Sequence, residues 1–387
     1  MRSVKVLARI KPPSEIKNRC IRISRDEKKI SIHEPRRDVA NKIRYMRRQY
    51  ELDRVYDIDY DNVSIFDELS ENIVKDFYQR MNTTFYVYGE TGTGKTHTVI
   101  GYPGEEGILY YLLEKITRYN RHANEVHVTS LQIHMGKIYD VFDENAVVKE
   151  YYNRYGELQL HDMKRFHITN SNIDACIQLL RNKRQSGISS ANNTSSRSHL
   201  LVQIQVGGTY IRLLDLAGSE KLKDGIANKY LVQRENAEIN KSIMAVKECI
   251  RALKKGEKRI PYRMHKLTRL LKESFEGKGS TYLMATISSD ESRLRSTINT
   301  LQVMADLIGA RYSCIKVDSL PKYRLQSSTS FQSFMQVEKN RKEIHYHLED
   351  ILDVMKEARS TKEKRMEVLG LIEKEIQVLY NLREYLS

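Results

Sequence analysis

The chain of 387 residues has few cysteines and no long apolar segment. Cys20, Cys176, Cys249 and Cys314 are far apart and form no C-x-x-C pair, which argues against a disulfide framework or a zinc site. No apolar run approaches the roughly 18 residues that a membrane span needs, and the N-terminus does not open on a signal peptide. We therefore expect a reduced, cytoplasmic protein without a membrane span.

Acidic residues are outnumbered by basic ones, and the formal net charge is +15. A charge of this sign implies an acidic partner, which could be nucleic acid, an anionic membrane or an acidic protein surface. The length leaves room for one large α/β domain and an appendage.

Residues 83–98 carry the most informative pattern, TTFYVYGETGTGKTHT. The run FYVY predicts a buried strand, and the following residues match G-x-x-x-x-G-K-[ST] before a helix-compatible segment. In such a loop, backbone N–H groups surround a polyphosphate, a lysine lies on the β/γ-phosphates and a threonine binds Mg²⁺. A chance glycine-rich turn with this pattern is expected about one time in a hundred in a chain of this length. The predicted phosphate-loop residues are Gly89, Glu90, Thr91, Gly92, Thr93, Gly94, Lys95 and Thr96.

A hairpin is predicted further along the chain. Residues 199–206 and 209–214 read as strands, and the Gly207-Gly208 pair between them favours a two-residue turn. If Val206 faces Thr209, Leu200 lies opposite Asp215. Pairing alone then brings the polar loops on either side of the hairpin, residues 192–198 and 215–220, to one edge of the sheet.

These two loops have residue types that suit a nucleotide site. An aspartate at a strand end, followed by a glycine as in Asp215 and Gly218, can hold Mg²⁺ through water and offer an N–H to a γ-phosphate. Arg197 and Glu220 are an available ion pair. A serine-rich segment alone is more often a solvated loop, but its place beside a phosphate loop favours the functional interpretation. The hydroxyls available to metal and phosphate belong to Ser195, Ser196 and Ser198.

The segments GETGTGKTHT, NNTSSRSH and DLAGSE resemble the phosphate loop, switch I and switch II of the kinesin motor family, in that order. Three further segments are similar to the family's R-x-R-P nucleotide-base motif, the start of its relay helix and its microtubule-binding I-P-Y-R-x-S-K-L-T-x-L-L motif. They are RIKP (9–12), ENAEINKS (235–242) and IPYRMHKLTRLL (260–271). The resemblance covers residues 4–312.

The resemblance implies an ATP-driven microtubule motor. The expected fold is α/β, with a central, mostly parallel twisted sheet flanked by helices on both faces. The expected activity is ATP hydrolysis with Mg²⁺, stimulated by microtubules. The partner would be tubulin, and the protein would bind neither nucleic acid nor a membrane. It would be located on the cytoskeleton, at microtubules or at the spindle.

The resemblance also assigns roles to single residues. Ser196 would bind Mg²⁺ and the γ-phosphate, Gly218 would sense that phosphate, and Arg197 with Glu220 would close over the attacking water. The residues with catalytic roles would be Lys95, Ser196, Arg197, Asp215, Gly218 and Glu220. Those at the adenine would be Arg9, Pro12 and His97; Asn192, Ser195 and Ser198 would lie near the phosphates.

The chain departs from the family pattern in several places. Glu90 replaces the common phosphate-loop glutamine, and Lys11 replaces the second arginine of R-x-R-P. The E-I-Y-N-E segment reads QIHMG at 132–136, and a conventional neck-linker signature is hard to see.

Positive charge concentrates in residues 241–278, where twelve Lys/Arg against four Asp/Glu give a net +8. Apolar seams predict two helices here, each with its basic residues on the face away from the seam. The seams are Ile239, Ile243, Val246, Ile250 and Leu253 in the first helix, and Leu267, Leu270 and Leu271 in the second. A solvated face is the usual explanation of a charge run, and nucleic acid would fit the charge equally well; only the kinesin-like motif selects tubulin. The predicted microtubule-binding residues are Lys241, Arg251, Lys255, Tyr262, Arg263, Lys266 and Arg269.

Three parts of the chain are expected: a motor domain over residues 1–312, a linker over 313–335 and a helical segment over 336–387. The last segment fits either a weak coiled coil or helices packed within one chain, so a monomer or weak homodimer is expected. The alternative to a motor is a non-motile microtubule-binding protein that uses ATP as a switch.

Overall fold

The computed structural model describes residues 3–12, 21–37, 43–119, 125–154, 158–186, 196–218, 229–276, 279–309 and 312–317. All of them belong to one compact unit, residues 1–320. The predicted helical segment 336–387 lies outside the described residues. Residues 312–317 form a strand, so regular structure continues into the segment predicted as a linker.

Most strands of the described residues form one large sheet. Its order is β11-β10-β9-β15-β16-β6-β17-β1-β5, with β14 paired to β9. The centre, from β16 to β5, is parallel, and antiparallel strands extend the edge beyond β16. The strands are β1 Ser3–Lys11, β2 Ile21–Ile23, β3 Lys29–Arg37, β4 Ile43–Glu51, β5 Arg54–Tyr56, β6 Thr83–Gly89, β7 Gly101–Tyr102, β8 Glu105–Glu106, β9 Val126–His134, β10 Lys137–Asp140, β11 Ala146–Val147, β12 Glu150–Tyr152, β13 Leu158–Leu160, β14 Phe166–Ile168, β15 His199–Val206, β16 Thr209–Asp215, β17 Ser280–Ser288 and β18 Tyr312–Val317.

Helices cover both faces of this sheet, as predicted. The helices are α1 Asn62–Tyr78, α2 Lys95–Val99, α3 Ile108–Tyr119, α4 Ile173–Ser186, α5 Lys229–Lys254, α6 Lys266–Leu270, α7 Lys272–Glu276 and α8 Leu294–Ile308. One core joins the sheet to α5, α6 and α8, and a second joins its other face to α1, α3 and α4. Alternate residues of β1 and β6 belong to different cores because successive side chains of a strand point to opposite faces. In the described part of the chain, no helix is both long and apolar enough to cross a bilayer.

A second, antiparallel sheet has the order β18-β4-β3-β2. The isoleucines of β2 and β3 and the buried Tyr50 of β4 join it to the core under α5 and α8. Its last strand, β18, pairs with β4 along its whole length, from Tyr312 opposite Tyr50 to Val317 opposite Tyr45.

Candidate functional site

The phosphate loop lies between the fully buried strand β6 and the short helix α2, in the predicted context. The Lys95 side chain is buried, and its Nζ donates hydrogen bonds to the carbonyl oxygens of Gly89, at 3.1 Å, and Glu90, at 2.9 Å. These two bonds hold the ammonium group at the loop itself, where a phosphate would bind.

Two glycines of the loop have a clear steric requirement. A Cβ on Gly89 would lie 2.3 Å from the carbonyl oxygen of Thr286 on β17, so no side chain fits there. Gly94 caps α2 with φ of 97°, a left-handed conformation that favours glycine. The Thr93 hydroxyl also fixes the loop to β17, because it lies 2.7 Å from the hydroxyl of Thr286.

The β15–β16 hairpin brings the two polar loops to this site. The predicted register is confirmed, with Val206 paired to Thr209 and Leu200 to Asp215. Strand β16 also runs parallel to β6, so Asp215 lies next to the strand that enters the phosphate loop. The two loops are bonded directly, because the Gly218 N–H donates to the Ser196 carbonyl at 2.8 Å.

Asp215 is fully buried and contacts the phosphate loop. The Thr96 hydroxyl donates to its Oδ2 at 2.6 Å. Its other oxygen, Oδ1, is buried and has no hydrogen-bond partner among the described residues. A buried carboxylate oxygen without a donor suits a bound water or cation, so the side chains present fit a magnesium ion at this point.

Arg184 is a site residue that sequence reasoning missed. It lies in the last turn of α4, is 3% exposed and is 3.3 Å from Asp215 Oδ2. Its guanidinium also donates to the Ser198 hydroxyl at 2.9 Å and to the Ser198 carbonyl at 3.1 Å. Burial lowers the pKa of Arg184, while Asp215 acts in the opposite direction. The sequence shows only one of three basic residues near the end of an amphipathic helix, with Arg181 and Lys183 beside it, which does not indicate a buried partner.

His199 connects both loops to helix α5. Its Nδ1 accepts from the Ala217 N–H at 3.0 Å, and its Nε2 is 2.7 Å from the hydroxyl of Ser242 on α5. Burial lowers the pKa of His199 to about 3, and the nearby cations act in the same direction. The imidazole is therefore neutral, with its proton on Nε2.

Arg197 contacts a glutamate that the sequence analysis did not select. Its Nη1 donates to Oε2 of Glu235 on α5 at 3.1 Å, and His134 Nε2 is 2.7 Å from the other oxygen of the same carboxylate. Glu220, the predicted partner of Arg197, lies outside the described residues, as do Asn192 and Ser195. The predicted pair therefore stays a prediction.

Two of the three predicted adenine residues, Arg9 and His97, lie at helix α2. Arg9 is buried and donates to the Thr98 hydroxyl at 2.7 Å and to Asn62, so it anchors the helix from behind. Burial lowers its pKa to about 10, although Asp61 and Glu105 oppose this. Pro12 is half-buried at the end of β1. The His97 ring stacks on that of Tyr102, with centroids 5.2 Å apart and planes 15° apart.

Helix α5 in the basic segment has the predicted apolar seam, but the prediction of a single helix after it is wrong. Helix α6 ends at Leu270 and α7 begins at Lys272, so two short helices replace the one predicted. Both Leu267 and Leu271 are buried, as predicted.

Several predicted basic residues have partners on the surface. Lys266 pairs with Glu150 and Arg269 bonds to Tyr152, so both hold the β12–β13 hairpin. Arg251 pairs with Glu248 at 2.6 Å. In contrast, Lys241, Lys255 and Arg263 are exposed, and Tyr262 is half-buried with the Lys272 ammonium 5.5 Å from its ring centre.

His265 replaces the serine of the family motif and has two functions at the start of α6. Its Nδ1 accepts from the Leu267 N–H at 3.1 Å, which caps the helix. Its Nε2 is 3.0 Å from Oε1 of Glu238 on α5. The basic segment is thereby bonded to the same helix that His199 and Arg197 contact.

Comparisons with known proteins agree with this architecture. Residues 9–306 match the kinesin motor domain family. The kinesin-like protein KIN-13B of Arabidopsis thaliana is 30% identical over 289 residues, which are 70% of this chain and 42% of that protein. The chain thus spans less than half the length of that relative.

Solved structures show the same fold. A fast kinesin is 25% identical with a TM-score of 0.66, covering 84% of this chain and 96% of that one. The motor domain of a Kar3-like kinesin from Ashbya gossypii is 24% identical with a TM-score of 0.63, covering 79% of this chain and 99% of that one. The expected α/β fold is confirmed, and the chain belongs to the kinesin motor family.

Proposed function

We propose that this chain couples ATP hydrolysis to movement along microtubules. The observation that carries the proposal is the meeting of three separate segments at one point. Thr96 of the phosphate loop is bonded to Asp215, and Gly218 is bonded to Ser196. A nucleotide γ-phosphate placed there would contact all three segments, so its loss on hydrolysis would change their mutual positions.

Different side chains would contact different parts of the nucleotide. Lys95 would neutralise charge on the β/γ-phosphates after leaving the carbonyls that now hold it. Ser196 and Gly218 would contact the γ-phosphate, and Arg184 keeps Asp215 and Ser198 in place. Arg197 and Glu220 would position the attacking water, with Asn192, Ser195 and Ser198 near the phosphates, and Arg9, Pro12 and His97 at the adenine.

Mg²⁺ fits the donors beside the phosphate loop. Thr96 and Ser196 would hold it directly, and Asp215 would hold it through water at its unpartnered Oδ1. The ion would neutralise the phosphate charge. The protein's own part is to place the Asp215 side chain beside Thr96, a position that its contact with the buried Arg184 supports.

Helix α5 connects the nucleotide site with the basic surface. His199 and Arg197 contact it from the switch segments, and His265 contacts it from the start of α6. A displacement of the switch segments would therefore act on α5 and, through it, on the residues proposed to bind tubulin. Those residues are Lys241, Arg251, Lys255, Tyr262, Arg263, Lys266 and Arg269.

Surface gliding tests the proposal. The full chain is fixed to glass, and polarity-marked microtubules are observed with ATP while filament length is recorded in the same images. Directed gliding is expected, with ATP turnover stimulated manyfold by microtubules. The Lys95→Ala variant is the control, because it should bind microtubules without turnover or gliding.

Two outcomes would contradict the proposal in different ways. Filaments that bind and release with nucleotide but never glide would favour the alternative, a microtubule-binding protein that uses ATP as a switch. Filaments that shorten without gliding would show work on tubulin ends rather than along the lattice. Undiminished turnover by Lys95→Ala would overturn the phosphate-loop assignment itself.

A further inference from the structure

The phosphate loop carries a carboxylate at its second position. Glu90 stands where the kinesin pattern has glutamine, so this chain places a negative charge beside a site that binds a polyanion. The side chain is 22% exposed, so water screens its charge only in part. An uncompensated carboxylate here would oppose nucleotide binding.

Arg293 meets this carboxylate from a distant part of the chain. It ends the 3-10 turn Glu291–Arg293 that precedes α8, and its Nη1 is 3.4 Å from Glu90 Oε2. The same nitrogen donates to the Thr91 carbonyl at 2.6 Å. The guanidinium also lies 3.4 to 3.7 Å from the place where a Cβ on Gly92 would be, so it covers the outer side of the loop.

A second cation holds the next carbonyl of the loop. Lys11, at the end of β1, donates from Nζ to the Gly92 carbonyl at 2.9 Å. Consecutive carbonyls of the loop, those of Thr91 and Gly92, thus face cations from different segments. A cation on the Thr91 carbonyl also polarises that peptide unit, which strengthens the Gly92 N–H as a donor.

We propose that Arg293 is a positioning residue of the ATP site, which cancels the charge of Glu90 and supports the outer side of the phosphate loop. It acts through the loop rather than by touching the nucleotide. The proposal requires only that the site binds ATP and does not depend on movement along microtubules.

Charge compensation and simple anchoring make opposite predictions for a double variant. If Arg293 cancels Glu90, removing both charges restores nucleotide binding. If Arg293 only ties the turn before α8 to the loop, the double variant is at least as defective as Arg293→Ala. The salt dependence of binding also distinguishes the two explanations, because salt screens charge repulsion but does not restore a lost anchor.

The experiment measures equilibrium binding of a fluorescent N-methylanthraniloyl-ADP with Mg²⁺ to the full chain. Arg293→Ala should weaken binding about tenfold at low salt, and the loss should shrink at high salt. Glu90→Gln should bind more tightly than the unchanged chain, since Arg293 then adds positive charge. The double variant should return to within about threefold of the unchanged chain. In steady-state turnover, Arg293→Ala should raise the KM for ATP and leave kcat within about twofold.

Arg295→Ala is the matched control. It removes one positive charge two residues away, from an exposed side chain, and should leave binding unchanged. Thermal unfolding by circular dichroism checks the fold, and Arg293→Gln, which removes the charge but keeps more of the side chain than alanine does, replaces Arg293→Ala if that variant unfolds early. A double variant as weak as Arg293→Ala overturns the proposal, and so does full affinity in Arg293→Ala.

Discussion

Single buried cations keep the switch segments of this motor domain together. Arg184 and Asp215 are both almost completely removed from solvent, so each compensates the other's charge. Breaking a buried pair by removing one partner costs about 3–5 kcal/mol, because the remaining charge is left without compensation. We therefore expect Arg184 to be as necessary to the geometry of the site as the residues proposed to touch the nucleotide.

The partner of Arg197 is open to a direct test. Arg197 is bonded to Glu235, while the sequence predicted a pair with Glu220 that closes the site. In double-mutant cycles of ATP turnover, alanine variants of Arg197 and its functional partner should be strongly non-additive. Non-additivity with Glu235 is expected if the contact in the structure acts in turnover, and non-additivity with Glu220 if the predicted pair closes the site. Simple additivity in the Glu220 cycle would mean that these two residues do not meet.

His199 makes stability depend on pH. Its pKa is about 3 in the folded chain, while an unfolded histidine titrates near pH 6.5. Between these values only the unfolded state binds the proton, so the free energy of unfolding should fall as pH decreases below about 6.5. Urea unfolding between about pH 7.5 and 5 should show a slope that is shallower in His199→Gln, by up to about 1.4 kcal/mol per pH unit. Equal slopes would contradict a neutral, buried His199.

At the scale of elements, short sequence patterns predicted those strands and turns whose conformation depends on residues close together in the chain. The strand before the phosphate loop and the β15–β16 hairpin each have a short-range signal. For the hairpin, the Gly207-Gly208 turn and the alternation of the strands fix the register, which places Asp215 opposite Leu200. The parallel pairing of β16 with β6 then brings Asp215 to the phosphate loop.

Long-range pairs had no comparable signal. Arg184 with Asp215, Arg197 with Glu235 and His265 with Glu238 each join different elements, and neither member of a pair has a pattern that identifies the other. Only the packing of α4 and α5 against the sheet brings these charges together. The break between α6 and α7 was missed because a seam of leucines at 267, 270 and 271 fits one helix as well as two.

The basic surface yields a prediction at this scale. Replacing Arg263, Lys266 and Arg269 by alanine should weaken microtubule binding and lower stimulated turnover, because the removed charges are those proposed to face an acidic polymer. Affinity of the unchanged chain should fall steeply with salt. Co-sedimentation and ATPase titrations at several salt concentrations measure both.

The matched control removes the same charge elsewhere. Arg25, Lys28 and Lys75 are exposed on the β2–β3 turn and on α1, and their alanine variant should bind microtubules normally. Basal turnover should be nearly unchanged in the basic-surface variant. A basal rate that fell in step with binding would assign the basic surface to the nucleotide site instead.

For the whole molecule, the oligomeric state is predicted from the sequence of residues 336–387. The heptad positions of this segment hold almost no apolar residues around 358–365, which leaves about two good heptads on each side. Such short coils bury little surface, so we expect a monomer, or a dimer that forms only at high concentration. Analytical ultracentrifugation of the full chain at micromolar concentration measures this. A dimer that persists on dilution would rule the expectation out.

The pairing of β18 with β4 has a mechanical consequence. The six residues Tyr312–Val317 are hydrogen-bonded to a strand that is itself paired on its other side, within the small antiparallel sheet. Tension applied to the chain beyond residue 317 reaches the domain through this ladder. When tension acts along the strand axis, all hydrogen bonds between β18 and β4 bear it at once and must break together. When it acts across the axis, the hydrogen bonds break one after another. The resistance of the domain to a pulled tail should therefore depend on the direction of the pull.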